Sequence, residues 1–468
     1  MRLTVLTISF FICSGVIAQK IDDKLSSAIR SLEADPQFKH AMLSMYVVDS
    51  KTGSVVYDKN SQLGLAPASC QKVVTSVSAF EMLGKDYQYK TVIGYNGKIK
   101  DNMLNGNLFI AASGDPTFGS WRWHETDTQV VKQKIINALT SNKIKDINGR
   151  VVIDESKWST QATPNGWTWD DIGNYYGAGA KAFNWYENQY DIILKPGMNI
   201  GDSVQIVTTQ PKIETAFVNE LKTGAPGSGD NSIIYLPEQG SIAYLRGTIP
   251  AGNKNFTITG AMPNADYPFI RTLAHVFDSN QITVAAGFRT TTEPGMINEK
   301  WPPMTNSLLT IASPTFDSIN YWFLKRSVNL YGEALVKAIA YQKTKFGSTD
   351  TGLNIIKEFW NNKGIERSSL HIIDGSGLSP ANRVTTNALV TIMQYAKNQP
   401  WFFSFYNALP ELNAIKMKDG YISGVRSFTG YVKSKDGNEY TFSFIVNNFD
   451  GSAGTVREKM WKVLDILK

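Results

Sequence analysis

A serine and a lysine three residues apart stand out among the residues that could carry out chemistry. Ser69 and Lys72 enclose Cys70 and Gln71, and a helical pattern of apolar residues begins just after Pro67. Residues i and i+3 share one face of a helix, so the lysine amine can reach the serine hydroxyl and accept its proton. The helix N-terminus adds partial positive charge near the developing anion. The pair predicts a serine nucleophile with a lysine base, although this spacing alone often arises by chance.

A second pair, with the spacing Ser-x-Asn, would add a hydroxyl and an amide to such a site. The chain contains two, Ser318 with Asn320 and Ser327 with Asn329. The second pair directly precedes a clear amphipathic helical pattern, and we select it for that reason. Ser318 is expected to be an ordinary helical serine.

A third element of such a site would be a lysine two residues before a glycine, at the edge of a strand. Literal Lys-Thr-Gly occurs at 51–53 and 222–224, but both precede the Ser-x-Asn pair, and turns are expected at both. The better placed candidate is Lys418-Asp419-Gly420, on the strand expected to begin the C-terminal hairpin. We therefore assign the third element to these residues.

The apolar pattern predicts helices and strands near both chain ends. The expected elements are a helix over 21–32, a hairpin of strands 42–48 and 54–57, a helix after residue 67, long paired strands over 415–432 and 440–446, and a closing helix from residue 456. Between about residues 96 and 299 the chain has short strand patterns and many Gly, Asn and Pro turns. This stretch is expected to be an insertion that interrupts one domain.

The first eighteen residues predict an export signal. Arg2 is followed by the apolar stretch 3–16, too short to span a bilayer, and cleavage is expected after Ala18. A lipoprotein signal at Cys13 is a weaker alternative, because Ile12 stands where a small residue is normally needed. Cleavage leaves Cys70 alone, so no internal disulfide is expected, and Cys70 itself is expected to be a small buried residue. No later segment approaches twenty apolar residues, so no stable membrane span is expected.

Composition restricts the partners. The 468 residues carry 47 Lys+Arg against 41 Asp+Glu, and these charges are interspersed, so nucleic acid is not expected as a partner. Hydrophobic residues at 42% and charged residues at 19% are typical of a globular protein and exclude a disordered or collagen-like chain. The four histidines are scattered and offer no ligand cluster, so no metal site is predicted.

The order Ser-x-x-Lys, Ser-x-Asn, Lys-x-Gly resembles that of penicillin-recognising serine enzymes. The surrounding residues resemble the D-alanyl-D-alanine carboxypeptidase/D-Ala-D-Ala-endopeptidase family, the class C low-molecular-mass penicillin-binding proteins. Supporting stretches are Ala-Ala-Ser-Gly-Asp-Pro-Thr at 111–117, Asp-Ile-Gly-Asn-Tyr-Tyr-Gly-Ala-Gly at 171–179 and Asp-Gly-Ser-Gly-Leu-Ser at 374–379. The long gap between the first two motifs also fits this family, whereas compact β-lactamases lack it.

The resemblance implies an α/β (α+β) fold with a serine β-lactamase/DD-peptidase-like domain, in which helices flank an antiparallel sheet. This domain would comprise residues 19–95 and 300–468, with a mostly β inserted region at 96–299. The implied function is a periplasmic serine-type D-Ala-D-Ala carboxypeptidase, crosslink endopeptidase, or both. Its partners would be peptidoglycan peptides, with β-lactam antibiotics as acylating inhibitors and no cofactor.

The resemblance also implies a role for each motif residue. Ser69 would be the nucleophile, Lys72 the general base, and Ser327 the relay that passes a proton to the leaving amine. Asn329 would bind the substrate amide, and Lys418 would supply positive potential. The substrate-binding residues would be Asp419, Gly420 and Tyr421. The oxyanion hole would use the backbone N–H groups of the nucleophile and of Tyr421.

Asp419 departs from the family pattern, which has Thr or Ser there to donate a hydrogen bond to the substrate's terminal carboxylate. An ionised Asp is acceptor-only and repels an anion, so about 2–5 kcal/mol of recognition would be lost. Three alternatives would account for this residue. In the first, Arg426, expected on the same strand, offsets the charge of Asp419. In the second, Asp419 is held protonated, and in the third, the protein is a non-catalytic cell-wall-binding homologue. A β-lactamase fits less well because of the insertion.

Overall fold

The computed structural model describes residues 9–252, 254–293, 295 and 299–468. The chain is divided into two units. The first unit contains the chain up to Glu81 together with Asn320–Ser327 and Leu353–Lys468, and the second contains Met82–Ile319 and Val328–Gly352. Residues 1–8 of the predicted export signal lie outside the described residues. The predicted domain limits, 19–95 with 300–468 around an insertion at 96–299, stay a prediction.

The α-helices of the described chain, in order from the N-terminus, are α1 (Ser9–Glu33), α2 (Lys72–Met82), α3 (Thr128–Ser141), α4 (Asp266–Ser279), α5 (Phe316–Lys325), α6 (Asn329–Thr344), α7 (Thr349–Asn361), α8 (Thr386–Lys397), α9 (Phe402–Ala408) and α10 (Ala453–Leu464).

The strands of the N-terminal and central parts are β1 (Met42–Asp49), β2 (Val55–Lys59), β3 (Lys90–Tyr95), β4 (Lys98–Lys100), β5 (Met103–Asn105), β6 (Leu108–Ala111), β7 (Asp146–Ile147), β8 (Val151–Asp154), β9 (Gln189–Lys195), β10 (Gln205–Gln210), β11 (Ala216–Asn219), β12 (Lys222–Gly224), β13 (Asn231–Tyr235), β14 (Ile242–Pro250), β15 (Phe256–Ala261), β16 (Thr283–Val284), β17 (Phe288–Thr290) and β18 (Asn306–Ala312). Those of the C-terminal part are β19 (Leu370–His371), β20 (Arg383–Val384), β21 (Glu411–Leu412), β22 (Ile415–Ile422), β23 (Val425–Lys433) and β24 (Glu439–Asn447).

The first unit is built on an antiparallel sheet with the strand order β2-β1-β24-β23-β22-β21. Alternate residues of β1, namely Leu43, Met45 and Val47, join a core with apolar side chains of α1 and α10. This period of two is what a strand with one face on the core requires. Helices therefore cover the sheet, as the sequence predicts for this part of the chain.

One strand prediction is wrong. The stretch 415–432 is not one strand but two, β22 and β23, which pair with each other and turn at Ser423-Gly424. Gly424 has φ +69°, a left-handed conformation that glycine adopts without steric cost. Arg426 consequently lies on β23, opposite Tyr421 of β22, and not on the strand that carries Asp419.

The second unit contains small sheets, among them β17-β8-β6-β3-β18 and β16-β7-β5-β4. Its core combines apolar side chains of these strands with those of α3 and α4, two helices that the turn-rich texture of residues 96–299 did not predict. In α4 the buried residues Phe269, Leu273 and Phe277 recur every four positions and form one helix face. Across both units, no helix within the described residues has the length and apolar character needed to cross a membrane.

Candidate active site

Ser69 lies on a single turn of 3-10 helix, Ala68–Gln71, which leads directly into α2. The residue before it, Ala68, has φ +45°, a conformation that a residue with a β-carbon rarely adopts. Such a residue costs of the order of 1–3 kcal/mol and persists only where its surroundings enforce it. The strained turn leaves Ser69 half-buried while Ala68 and Cys70 are fully buried.

Lys72 provides the most direct contact with this serine. Its Nζ lies 2.9 Å from Ser69 Oγ and donates a second hydrogen bond of 2.7 Å to the carbonyl oxygen of Ser376. The side chain is fully buried, and its ammonium lies 5.9 Å from the centre of the Phe323 ring. A nucleophile and a base within hydrogen-bond reach, with the base held by a further group, is the arrangement that covalent catalysis requires.

The carbonyl that holds Lys72 belongs to the Asp-Gly-Ser-Gly stretch at 374–377. The carboxylate of Asp374 accepts hydrogen bonds from Gly377 N at 2.8 Å and Ser379 N at 2.7 Å. It also accepts one of 2.8 Å from Gln71, the neighbour of Lys72 in the chain. The buried carboxylate therefore fixes the turn that presents the Ser376 carbonyl to Lys72.

Strand β22 packs directly against the turn that carries Ser69. A β-carbon added to Gly420 would lie 2.9 Å from Ser69 N and 2.7 Å from Pro67 O, so only glycine fits without movement. Ser427 of the next strand donates a 2.5 Å hydrogen bond to the same Pro67 carbonyl. No pattern in the sequence pointed to Ser427. The backbone of β22 beside Gly420 thus lies next to the amide of the candidate nucleophile.

Lys418 and Asp419 form an ion pair at this edge. Lys418 is 1% exposed, and its Nζ donates to Asp419 O at 2.6 Å and to Asp419 Oδ1 at 3.0 Å. Burial raises the pKa of Asp419, but the charge and hydrogen bond of Lys418 and the charge of Arg426 outweigh it, and the net pKa is lowered. Asp419 is therefore ionised at neutral pH, and the alternative in which it is held protonated is wrong.

Arg426 is the second cation near Asp419. It is 9% exposed, and its Nε has no hydrogen-bond partner within the described residues. The guanidinium lies 5.4 Å from the centre of the Tyr421 ring, and the Tyr421 side chain is exposed. Arg426 acts on Asp419 through its charge, which is the offset that the sequence suggested, although from the neighbouring strand.

The Ser-x-Asn pair is divided between the two units. Ser327, in the first unit, has φ +56° and is half-buried, and it makes no hydrogen bond to Ser69, Lys72 or Lys418 in the described chain. Asn329, in the second unit, begins α6, and its Nδ2 donates to the carbonyl of Tyr176 at 2.8 Å. The roles predicted for both residues stay predictions.

The competing motifs and the cysteine have structural explanations. Residues 51–53 form the turn between β1 and β2, as expected, whereas Lys222–Gly224 is strand β12 and the turn predicted there was wrong. Ser318 lies within α5.

Cys70 is buried, and burial raises the pKa of its thiol to about 11, which excludes a thiolate nucleophile at neutral pH. Among the described residues no group of His, Cys, Asp and Glu side chains is suited to a metal ion.

Known proteins resemble this chain in sequence and in fold. The sequence model of the D-Ala-D-Ala carboxypeptidase 3 (S13) family matches residues 25–411 and 412–465. A D-alanyl-D-alanine carboxypeptidase from an Actinomadura species is 24% identical over 467 residues, covering 92% of this chain and 82% of that protein. The D-alanyl-D-alanine carboxypeptidase DacB of Haemophilus influenzae is 24% identical over 427 residues, covering 86% and 85%.

The crystal structure of penicillin binding protein 4 from H. influenzae superimposes with a TM-score of 0.79 at 20% identity, covering 96% of this chain and 99% of that one. This similarity confirms the predicted fold class. The family match spans nearly the whole chain and confirms both the predicted family and the prediction of a serine-type peptidase. The chain belongs to the D-Ala-D-Ala carboxypeptidase 3 (S13) family.

Proposed function

We propose that the protein is a serine DD-peptidase that cleaves peptidoglycan stem peptides through an acyl-enzyme on Ser69. It would act as a D-Ala-D-Ala carboxypeptidase, as an endopeptidase on crosslinks, or as both. The observation that carries this proposal is the 2.9 Å contact between Lys72 Nζ and Ser69 Oγ, with the lysine buried and anchored on the Ser376 carbonyl. In that position the amine, in its neutral form, can accept the serine proton.

The reaction then proceeds in two halves. Ser69 Oγ attacks the carbonyl of the penultimate D-Ala as its proton moves to Lys72, and the backbone N–H groups of Ser69 and Tyr421 stabilise the oxyanion. The tetrahedral intermediate expels the amine of the leaving residue, which receives a proton through Ser327. Water then attacks the acyl-enzyme and regenerates the serine. The positive potential of Lys418 completes the part of the proposed site that lies in the first unit.

Backbone strain supports a functional role for two parts of the site. Ala68, directly before the nucleophile, and Ser327 both have positive φ angles, of +45° and +56°. Residues held in such conformations concentrate at active sites, where the surrounding fold over-determines them. The strain at these two positions therefore supports a function for the segments that carry them.

The relatives support the substrate class. Those named above are D-alanyl-D-alanine carboxypeptidases, and a second H. influenzae structure, with a TM-score of 0.72, is complexed with a β-lactam. We therefore propose β-lactams as acylating inhibitors of Ser69. The alternative of a non-catalytic wall-binding protein receives no support from these relatives. We also propose export to the periplasm with cleavage after Ala18.

Intact-mass spectrometry after incubation with penicillin tests the acyl-enzyme. We expect a single adduct on the mature protein, none on Ser69→Ala, and an acylation rate about 10²–10⁴-fold lower for Lys72→Ala. Rapid loss of the adduct would instead indicate a β-lactamase. Digestion of crosslinked muropeptides then distinguishes endopeptidase from carboxypeptidase activity. A folded wild-type sample with neither adduct nor hydrolysis would refute the proposal.

A further inference from the structure

We infer that Asp419 makes this site select peptides whose leaving residue carries a neutral carboxamide in place of a free carboxylate. The inference rests on the proposed function and names a narrower substrate class for it. It depends on three properties of Asp419, which are its position beside the nucleophile, its effect on the neighbouring lysine, and the exposure of its carboxylate to a donor.

The position follows from the contact between β22 and the nucleophile. The backbone of Gly420 lies against Ser69 N, so the carbonyl that Ser69 attacks lies beside Gly420. One residue of an extended peptide spans about 3.3 Å. A substrate that runs along β22 with its reacting carbonyl beside Gly420 therefore places the terminal group of its leaving residue beside the side chains of the residues next to Gly420. Those side chains belong to Asp419 and Tyr421, and only Asp419 is charged.

The ion pair with Asp419 reduces the positive charge that Lys418 presents to a substrate. Two hydrogen bonds, of 2.6 and 3.0 Å, tie its ammonium to the carbonyl and the carboxylate of Asp419. The charges of the pair cancel, and Arg426 is the remaining cation that acts on this carboxylate. A free carboxylate on the substrate would therefore meet another carboxylate, beside a lysine whose charge that carboxylate already balances, and Arg426 would supply the remaining attraction.

The Asp419 carboxylate can accept a further hydrogen bond from a ligand. Within the described residues Lys418 is the side-chain donor to it, through Oδ1. About a third of the side chain is exposed, at 34%, so a ligand can reach it. A carboxamide has two N–H donors and no charge, whereas a carboxylate has only acceptors. A hydrogen bond to an ionised acceptor is also stronger than one between neutral groups.

A pair of matched peptides tests this selection on the wild-type enzyme. The substrates are diacetyl-L-Lys-D-Ala-D-Ala and the same peptide with a C-terminal amide, and kcat/KM is measured from the released D-alanine or D-alaninamide. We expect the wild type to prefer the amide by about 10- to 100-fold, which corresponds to about 1.4–2.7 kcal/mol. Asp419→Thr, which gains a donor and loses the charge, should prefer the carboxylate.

Two further variants serve as controls. Asp419→Asn keeps the size of the side chain and removes its charge, so the preference for the amide should shrink even if Thr disturbs the strand. Asp436→Asn makes the same chemical change in the exposed turn between β23 and β24 and should retain the wild-type ratio.

The outcomes separate this inference from the proposed function. Hydrolysis with a wild-type preference for the carboxylate peptide, or with the same ratio in wild type and both Asp419 variants, overturns the selection and leaves the peptidase intact. If no variant cleaves either peptide and penicillin labels none of them, both ideas are overturned.

Discussion

Replacing Gly420 with alanine adds a methyl group where the protein has no room for one. The new Cβ would lie 2.3 Å from Ser427 Oγ, 2.7 Å from Pro67 O and 2.9 Å from Ser69 N. If Ser427 rotates away, its 2.5 Å hydrogen bond to Pro67 is lost. The other two atoms belong to the backbone of the turn that carries the nucleophile, so relief requires that turn or β22 to move.

The size of the effect follows from these distances. Ordinary van der Waals contact begins near 3.4 Å, so the backbone must retreat by about 0.5–0.7 Å. Overpacking of this kind typically costs about 1–3 kcal/mol of the free energy of unfolding. A displacement of about 1 Å at reacting groups can reduce the rate about 100-fold. We therefore expect Gly420→Ala to lower the rate of acylation by penicillin about 10- to 100-fold.

Time-resolved intact-mass spectrometry measures the acylation rate, and urea denaturation measures the stability. Gly454→Ala is the matched control, because its Cβ would meet nothing closer than Ser452 Oγ at 3.4 Å on helix α10. This control should acylate at the wild-type rate. Wild-type acylation by folded Gly420→Ala would refute the argument that β22 packs tightly against the nucleophile.

Three other perturbations concern the surroundings of the site and the second unit. Asp374→Ala should lower the free energy of unfolding by about 3–5 kcal/mol, since a buried carboxylate with several N–H donors is lost; a loss below 1 kcal/mol in urea denaturation would contradict this. Cys70 in the native protein should resist a thiol reagent at pH 8, because burial raises its pKa to about 11, and fast labelling of the folded protein would show that the thiol is accessible. Glu155→Gln should change the pH dependence of stability, because burial and the charge of Asp266 raise the pKa of Glu155 from 4.5 to about 7. The folded state binds this proton more tightly, so the stabilisation is complete below pH 4.5 and is lost as the pH rises through 7. The variant should therefore exceed the wild type by about 3 kcal/mol at pH 8 and match it near pH 4, and parallel stability curves would exclude this effect.

Local sequence predicted the elements whose geometry depends on near neighbours. The spacing of Ser69 and Lys72 predicted that the amine can reach the hydroxyl, because both lie within one helical turn. The alternation of apolar residues predicted β1, and the turn residues after it predicted the hairpin with β2. The order of the motifs along the chain was also sufficient to indicate the family. These features require no knowledge of how distant segments meet.

The tertiary structure decided the features that join distant segments. The carbonyl that holds Lys72 comes from Ser376, 304 residues later, and no local pattern identifies that partner. The ionised state of Asp419 depends on Lys418 beside it and on Arg426, which the turn at Gly424 places on the neighbouring strand. Side-chain periodicity reports which face of an element is buried, whereas pKa shifts and close backbone contacts depend on what packs against that face. For this reason the sequence determined the identities of the candidate catalytic residues, and only the folded chain determined the charge and the space around them.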